Sequence, residues 1–382
     1  MHLRRLAATA ALATVGLLAG CGTTSTTPST GGTSDPTCPS STQLSAACDI
    51  TTDGSETLNG AGANSIEPFF TKVFYEYHQA DPKTVVNYSP AGSSVGISDI
   101  EQEIVDFGDT EIPMAASDLA KAPGAVLQVP VDLGGVAISY NIPGAPRNLK
   151  LDAPTLAGIF DGTITQWNDP RIARVSGDSN LPDLAIVPVH RADSSGPGWD
   201  LDDYLILNSP AWVAKIGTSK PSKTWPLATV GIGEQLNTGV ASYVHQTVGA
   251  IGFVEYGYAL QAGFVNAALQ NRSGSFVAPS LQSVAAAGAE ATTLSASNFS
   301  IIDEPGAGSY PLANFSWTLL YQRQPDQLKG IALGKLFDWV VTAGQQQSSA
   351  LGFAPLPANV AQLAVQTLEQ LQSSAGSPLF SP

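Results

Sequence analysis

The feature that most restricts the fold of this chain is the stretch His190–Pro197, which joins an apolar segment to a helical one. The residues before it, Leu184–Val189, are apolar and predict a short buried strand. After it, Leu201, Tyr204 and Leu205 recur at helical spacing, with acidic residues near the start of the helix. The segment is therefore predicted to be a strand, a turn of small residues and a helix.

The chemistry of this turn suits an anion. Such a turn presents free backbone N–H groups and the positive end of a helix dipole. Arg191 adds a planar, permanently charged fork, and Ser194 and Ser195 add hydroxyls. Asp193 can only accept hydrogen bonds when ionised, so the set suits an oxyanion that still carries a proton. The alternative is a capped helix with an ordinary surface Arg–Asp pair.

The N-terminus indicates export. Two arginines precede an apolar run, Leu6–Leu18, which is too short to span a bilayer as a mature helix. Residues 1–20 are therefore predicted to be a removable signal. The ending Leu18–Cys21 resembles a bacterial lipobox, which implies that Cys21 is lipidated and becomes the first mature residue. The alternative is an ordinary signal peptide in which this cysteine is incidental.

Composition limits the classes of protein to consider. Residues 21–55 are rich in Ser, Thr, Gly and Pro and are predicted to be a tether, in which Cys38 and Cys48 could form a local disulfide. The 382-residue chain is longer than one usual domain and suggests two lobes. Its net charge of −15 and lack of a basic stripe argue against nucleic acid. The histidines are scattered and no CxxC pair occurs, so neither a metal site nor a cofactor is expected.

Three more turns of small polar residues follow predicted strands. They are Asn59–Ser65, Ala91–Gly96 and Gly108–Glu111. Ser65 is the predicted N-cap of a helix whose apolar face is Phe69, Phe70, Val73, Phe74 and Tyr77. The strands before the second and third turns are predicted at 84–88 and 104–107. Because α/β proteins bind ligands at one end of a parallel sheet, these turns are expected to gather there.

Several of these segments carry a family resemblance. The chain resembles the bacterial phosphate-specific ABC-transporter substrate-binding proteins over residues 57–370, and the motifs occur in the family's order. The segments are Gly60–Ala63, Val86–Tyr88 followed by Gly92–Ser94, Val105–Gly108, Gly158–Asn168, Arg191–Gly196 and Gly249–Ala259.

The resemblance implies an α/β, two-lobed type II periplasmic-binding-protein fold, with the ligand in a cleft between lobes joined by crossover strands. The crossovers are expected near Val131–Tyr140 and Tyr310–Tyr321. Lobe 1 would combine residues 56–135 and 312–382, and lobe 2 would be residues 136–311. The apolar strand and helix near the C-terminus support this pairing, because they need a sheet to return to.

The resemblance also implies a set of ligand contacts. These fall on Asn64, Ser65, Ser93, Glu111, Arg191, Asp193, Ser195, Gly196 and Pro197. The chain departs from the family in three places. The family usually has threonine and an apolar residue at Asn64 and Ser65, aspartate at Glu111 and threonine at Pro197. Affinity and selectivity therefore depend on how these positions are arranged.

The implied function is capture of inorganic phosphate and its delivery to an ABC permease by a monomeric, non-enzymatic protein. It would be anchored through Cys21 to the outer face of the cytoplasmic membrane. The alternatives are an extracytoplasmic phosphatase or hydrolase, and an oxyanion sensor on the same fold. A hydrolase would need a nucleophile with a base in reach. His190 is near Ser194 and Ser195 in sequence, but no Gly-x-Ser-x-Gly elbow occurs.

Overall fold

The computed structural model describes residues 55–295 and 300–382. The predicted signal, the tether, the lipidation site Cys21 and the Cys38–Cys48 pair lie outside the described residues. Among the helices of the described part, none is long and apolar enough to cross a membrane.

Strands and helices alternate through most of the chain. The strands are β1 (Glu56–Gly62), β2 (Thr84–Pro90), β3 (Phe107–Thr110), β4 (Val126–Tyr140), β5 (Lys150–Leu151), β6 (Val187–Arg191), β7 (Ile232–Glu234), β8 (Ala250–Glu255), β9 (Val265–Asn266), β10 (Ala268–Gln270), β11 (Phe276–Val277), β12 (Ala313–Tyr321), β13 (Arg323–Gln324) and β14 (Gln372–Ser373).

The helices pack beside these strands. They are α1 (Glu67–Ala80), α2 (Ser93–Glu101), α3 (Ala116–Leu119), α4 (Ala153–Phe160), α5 (Pro170–Ser176), α6 (Gly196–Asn208), α7 (Pro210–Ile216), α8 (Leu236–Gln246), α9 (Tyr256–Gln261), α10 (Leu281–Glu290), α11 (Gln327–Val341) and α12 (Ala358–Leu368). Two short 3₁₀ segments, Ala343–Gln347 and Ser349–Leu351, follow α11.

Most predicted elements are present, with shifts at their ends. The strand predicted at 104–107 is wrong: the strand is Phe107–Thr110, which shares only Phe107 with the prediction and includes most of the predicted turn Gly108–Glu111. The apolar face of α1 is buried as expected, but the predicted N-cap is wrong. Ile66 occupies that position without a side-chain cap, and the Ser65 hydroxyl bonds to Glu111 instead. The strand predicted at 184–189 starts at Val187, because the residues before it bond to the loop at 165–167.

Nine strands form one sheet in the order β2-β1-β3-β12-β4-β8-β6-β7, with β9 beside β4. Strands β1, β2 and β3 are mutually parallel, and so are β6, β7 and β8. The two parallel groups are joined by β12 and β4, which run antiparallel to their neighbours. The turns that follow each parallel group therefore lie on either side of a central antiparallel pair.

The long strand β4 connects the two halves of this sheet. Its residues Val126–Gly135 pair with β12, and Val136–Tyr140 pair with β8. The register shifts between Ser316 and Trp317 on β12. Both predicted crossover segments thus lie in the middle of the sheet. There β4 runs from the half that contains the first parallel group into the half that contains the second.

Aromatic packing holds the C-terminal part of the chain against the first parallel group. Phe337 of α11 lies 5.1 Å from Phe107 of β3 between ring centroids, in an edge-to-face arrangement. Phe70 and Phe74 of α1 stack at 4.6 Å beside them. Such pairs add about 0.5–1.5 kcal/mol each beyond the burial of their area. The expectation that the C-terminal strand and helix return to a sheet is confirmed.

Candidate functional site

The predicted ligand contacts lie in the turns that follow strands of both parallel groups. Asn64 and Ser65 follow β1, Ser93 begins α2 after β2, Glu111 follows β3, Arg191 ends β6, and the segment from Asp193 to Pro197 leads into α6. Six of these side chains are at most 5% exposed, namely Asn64, Ser65, Ser93, Glu111, Arg191 and Ser195. So many buried polar groups require hydrogen-bond partners, and the protein itself supplies only some of them.

Arg191 is held by Asp193 and retains unused donors. Its Nε donates to Asp193 Oδ1 at 2.7 Å, and its Nη2 donates to Oδ2. The backbone N–H of Leu236 also donates to Asp193 Oδ1, at 3.2 Å. The buried Nη1 has no hydrogen-bond partner within the described part of the chain. Asp193 therefore orients the guanidinium, and Nη1 is available to an acceptor from outside the protein.

Glu111 is a buried acceptor opposite this cation. Ser65 Oγ donates to its Oε2 at 2.8 Å, and Asn314 Nδ2 donates to its Oε1 at 3.1 Å. Burial raises the pKa of Glu111 to about 7, an effect that the Ser65 bond and the charge of Arg191 oppose. Glu111 therefore changes charge near neutral pH. The expected proton acceptor, Asp193, stays a prediction, because its Oδ2 accepts only one hydrogen bond and can accept another. Glu111, whose two oxygens accept one bond each, is a second buried acceptor.

The start of α6 supplies further donors. Ser195 is the N-cap, and its Oγ accepts from the N–H of Gly198 at 3.0 Å, which leaves its own O–H free to donate. Pro197 lies in the first turn, where its missing N–H is no loss to the helix. A Cβ atom at Gly196 would lie 2.0 Å from Glu111 Oε2, so only glycine allows this approach. The α6 turn and the β3 turn are thus in direct contact.

Ser93 is the first residue of α2, one position after the N-cap Gly92. It is 1% exposed, and its Oγ accepts a long bond of 3.4 Å from the N–H of Glu111. The neighbouring Ser94 hydroxyl bonds to Ser194 Oγ, which joins the α2 turn to the α6 turn. The four turns that were expected to gather do so.

Asn64 has a different surrounding from the expected one. Its Nδ2 donates to Glu67 Oε2 at 2.9 Å and to Tyr258 OH at 3.1 Å, and its Oδ1 accepts from the N–H of Asn237 at 2.9 Å. Both hydrogens of the side-chain amide are therefore bonded within the protein. The expected role of this side chain as a ligand donor is not supported by these bonds.

Four more buried carboxyls surround Glu111 and were not predicted as site residues. They are Asp109, Asp132, Asp200 and Glu255, each fully buried or nearly so. Burial, followed by the charge of Glu111, raises the pKa of Asp132 to about 8. Burial likewise raises the pKa of Asp200 and Glu255 well above their usual range. Among the described residues no group of His, Cys, Asp or Glu has an arrangement that could hold a metal ion.

Amide side chains connect these carboxyls to the turns. Asn314 of β12 donates to both Glu111 and Asp200, the latter at 2.8 Å. Asn237 donates to Ser65 Oγ at 3.3 Å and accepts from the N–H of Glu255 at 2.9 Å. Asn237 follows β7, so the signal used for the other turns could have found it. Asn314 lies inside a strand, where no local pattern distinguishes it.

Among the described residues of the site, neither Ser194 nor Ser195 is hydrogen-bonded to a base that could activate it. His190 Nδ1 lies 3.0 Å from the carbonyl oxygen of Arg191, and the ring stacks on Trp225 at an interplanar angle of 15°. The hydroxyls of Ser194 and Ser195 bond to Ser94 and to a backbone N–H instead. His190 therefore has a packing role, and the chemistry of the site is that of binding.

Comparison with known proteins agrees with this reading. The family model described as the PBP superfamily domain matches residues 41–343. The phosphate-binding protein PstS of Xylella fastidiosa is 37% identical over 306 residues, which cover 79% of this chain and 82% of that protein. The PstS protein of Pasteurella multocida is 37% identical over 335 residues, covering 86% and 95%.

Solved structures show the same fold. A high-affinity periplasmic phosphate-binding protein, PfluDING, superposes with a TM-score of 0.64 at 19% identity, covering 80% of this chain and 92% of that one. A phosphate-binding protein from Stenotrophomonas maltophilia gives 0.62 at 18% identity, covering 81% and 93%. These relatives are binding proteins and not enzymes. The chain therefore has the two-lobed type II periplasmic-binding-protein fold and belongs to the PstS family of substrate-binding proteins.

Proposed function

We propose that this protein captures inorganic phosphate in the cleft between its lobes and delivers it, as a monomer, to an ABC permease. One observation carries the proposal. The buried Arg191 has a nitrogen without a partner among the described residues, and it is close enough to Glu111 for its charge to lower the pKa of that carboxyl. A cation with a free donor beside a carboxyl that titrates near neutrality matches a protonated oxyanion.

The proposed contacts divide into donors and one acceptor. Arg191, Ser93 and Ser195 would donate, together with backbone N–H groups at the start of α6 near Gly196. The Ser65 hydroxyl, which donates to Glu111 in this structure, would have to turn toward the anion to donate to it. Glu111 would accept the proton that phosphate keeps near neutral pH. Sulfate has no such proton, so above pH 7 its oxygens would face an ionised Glu111 unpaired, and that repulsion would select against it more strongly as pH rises through the Glu111 pKa of about 7.

The lobe boundaries proposed are those that the resemblance implies: residues 56–135 with 312–382, and residues 136–311. Closure of the lobes about β4 and β12 would bury the anion. The names of the PstS relatives support phosphate as the ligand, and the absence of a base beside Ser194 and Ser195 gives the hydrolase alternative no support.

Calorimetric titration of the delipidated protein with phosphate, arsenate and sulfate tests the proposal. We expect phosphate and arsenate to bind, because both retain a proton near neutral pH. At pH 8, where Glu111 is mostly ionised, we expect sulfate to bind at least about a hundredfold more weakly, since an unpaired buried charge carries a penalty of about 2–3 kcal/mol. Equal binding of sulfate would contradict the role of Glu111, and failure of all three anions would contradict the function.

We also propose that Cys21 carries a lipid that anchors the protein to the outer face of the cytoplasmic membrane, with residues 21–55 as a tether and a Cys38–Cys48 disulfide within it. The Leu18–Cys21 motif supports this. Cys21→Ser should abolish labelling with palmitate and release exported protein in soluble form. Continued labelling of the variant in the membrane fraction would refute the anchor.

A further inference from the structure

A hydrogen-bond network joins the turn after β1, with Glu67 of α1, to helices α8 and α9. The hydroxyl of Tyr258 accepts from Asn64 Nδ2 at 3.1 Å and lies 3.0 Å from the Asn64 carbonyl oxygen, to which it donates. Asn237 donates its backbone N–H to Asn64 Oδ1 at 2.9 Å. Asn64 is 3% exposed and Asn237 is fully buried, whereas Tyr258 is half-buried, so the bond between Asn237 and Asn64 is the one best shielded from water.

The bonded groups belong to opposite halves of the sheet. Asn64 follows β1, whereas Asn237 and Tyr258 follow β7 and β8. Strands β3, β12 and β4 lie between β1 and β8 in the sheet order. The bonds therefore span the cleft between residues that follow strands of different parallel groups. They must break if the two groups separate.

We infer that Asn64, Asn237 and Tyr258 form a latch that holds the cleft closed and slows the release of a bound anion. The inference rests on the proposed function, because the anion is taken to be phosphate. Tyr258 is a positioning residue: its hydroxyl bonds to Asn64 and lies 3.3 Å from Glu67 Oε2, and it acts on release of the anion by holding the two halves of the sheet together. Burial raises the pKa of Tyr258, so the phenol stays neutral and able to donate.

A second contact across the same cleft offers a comparison. Lys223 Nζ donates to Asp118 Oδ2 at 2.6 Å, but the lysine side chain is 37% exposed. Exposed ion pairs contribute little because water and salt screen them. The latch includes the buried bond from Asn237 to Asn64, so its loss should have the larger effect on the lifetime of the complex.

The test measures exchange kinetics with radiolabelled phosphate chased by excess unlabelled phosphate. Tyr258→Phe removes the hydroxyl that contacts Asn64 and Glu67 and should speed dissociation about tenfold, with an association rate within about twofold of the unmodified protein. Tyr256→Phe, a matched change on the same helix outside the latch, and Lys223→Met should each change dissociation less than threefold. Combining Tyr258→Phe with Asn64→Ala should give less than the product of the two separate effects.

A purely structural role would have a different signature. In that case Tyr258→Phe would lower the melting temperature of the phosphate-free protein and leave the dissociation rate unchanged, which would overturn the latch. If the unmodified protein fails to bind phosphate, the proposed function is wrong. The latch is then judged by X-ray scattering alone: Tyr258→Phe must raise the mean radius of gyration, and an unchanged value overturns it.

Discussion

Arg191 is the residue on which the proposed binding energy most depends. Its side chain is 2% exposed, and Asp193 fixes its orientation through two bonds. A guanidinium has five N–H donors, so this pairing leaves both hydrogens of Nη1 and one of Nη2 for a ligand. The pair with Asp193 thus orients the guanidinium and leaves these N–H groups free to donate.

Arg191→Ala should weaken phosphate binding by about 3–5 kcal/mol, because it removes the buried cation and leaves Asp193 uncompensated near the anion. Arg171→Ala is the matched control. Arg171 also pairs with an aspartate two positions away, but its side chain is 44% exposed. Calorimetry should show no measurable change for this control. A loss of less than about 1 kcal/mol for Arg191→Ala would contradict the proposed contact.

At the scale of elements, the approach of α6 to the end of β3 depends on one missing side chain. Gly196, the first residue of α6, lies against Glu111 so closely that a Cβ atom would be 2.4 Å from Glu111 Cβ. Two turns from opposite halves of the sheet therefore meet at a distance that alanine does not permit. The helix N-terminus and the acceptor carboxyl can then reach the same small anion.

Gly196→Ala should reduce phosphate affinity at least tenfold, because Glu111 or α6 must move to relieve the overlap, at a cost of about 1–3 kcal/mol. Gly308→Ala serves as the control, since a Cβ there has nothing within 4 Å. Titrations of the two variants check this. Unaltered affinity in Gly196→Ala would mean that the two turns do not come together around the ligand.

At the scale of the whole molecule, the centre of the protein contains more buried carboxyl groups than are needed to bind one anion. Asp109, Asp132, Asp200 and Glu255 are buried with Glu111 around the central strands, and burial raises the pKa of each. The net charge of −15 adds to this acidity. The folded state therefore retains protons that the unfolded chain has already lost.

Stability should consequently fall as pH rises. The folded-state pKa of Asp132 is about 8, against about 3.9 when unfolded, so its contribution is fully present below pH 4 and disappears as pH rises through 8. Between pH 5 and 7 the free energy of unfolding should decrease with pH. Asp132→Asn, which cannot ionise, should make that slope shallower by about 1 kcal/mol per pH unit.

Urea denaturation of the phosphate-free protein across this range provides the measurement. The exposed Asp183→Asn is the control and should leave the slope as it is. A slope that Asp132→Asn does not change would mean that Asp132 is ionised in the folded protein.

Much of this architecture was predictable because it depends on local patterns. Burial of one face of α1 follows from 3.6-residue periodicity, and the polar turns after β1, β2, β3 and β6 follow from small residues placed after apolar runs. The resemblance then indicated the family, which the comparisons confirm. The predicted ligand contacts stay proposals, although the structure brings their turns together.

The sequence by itself determined the order of elements, the polar turns and the family. Only the tertiary structure decided which turn residue pairs with which, because hydrogen bonds between distant segments depend on a sheet order that no local window contains. Ser65 could cap α1 or bond Glu111, and the packing of β1 beside β3 selects Glu111. Asn314 reaches Glu111 across 203 positions because β12 lies between β3 and β4. The raised pKa of Glu111 likewise comes from burial, which the folded chain alone creates.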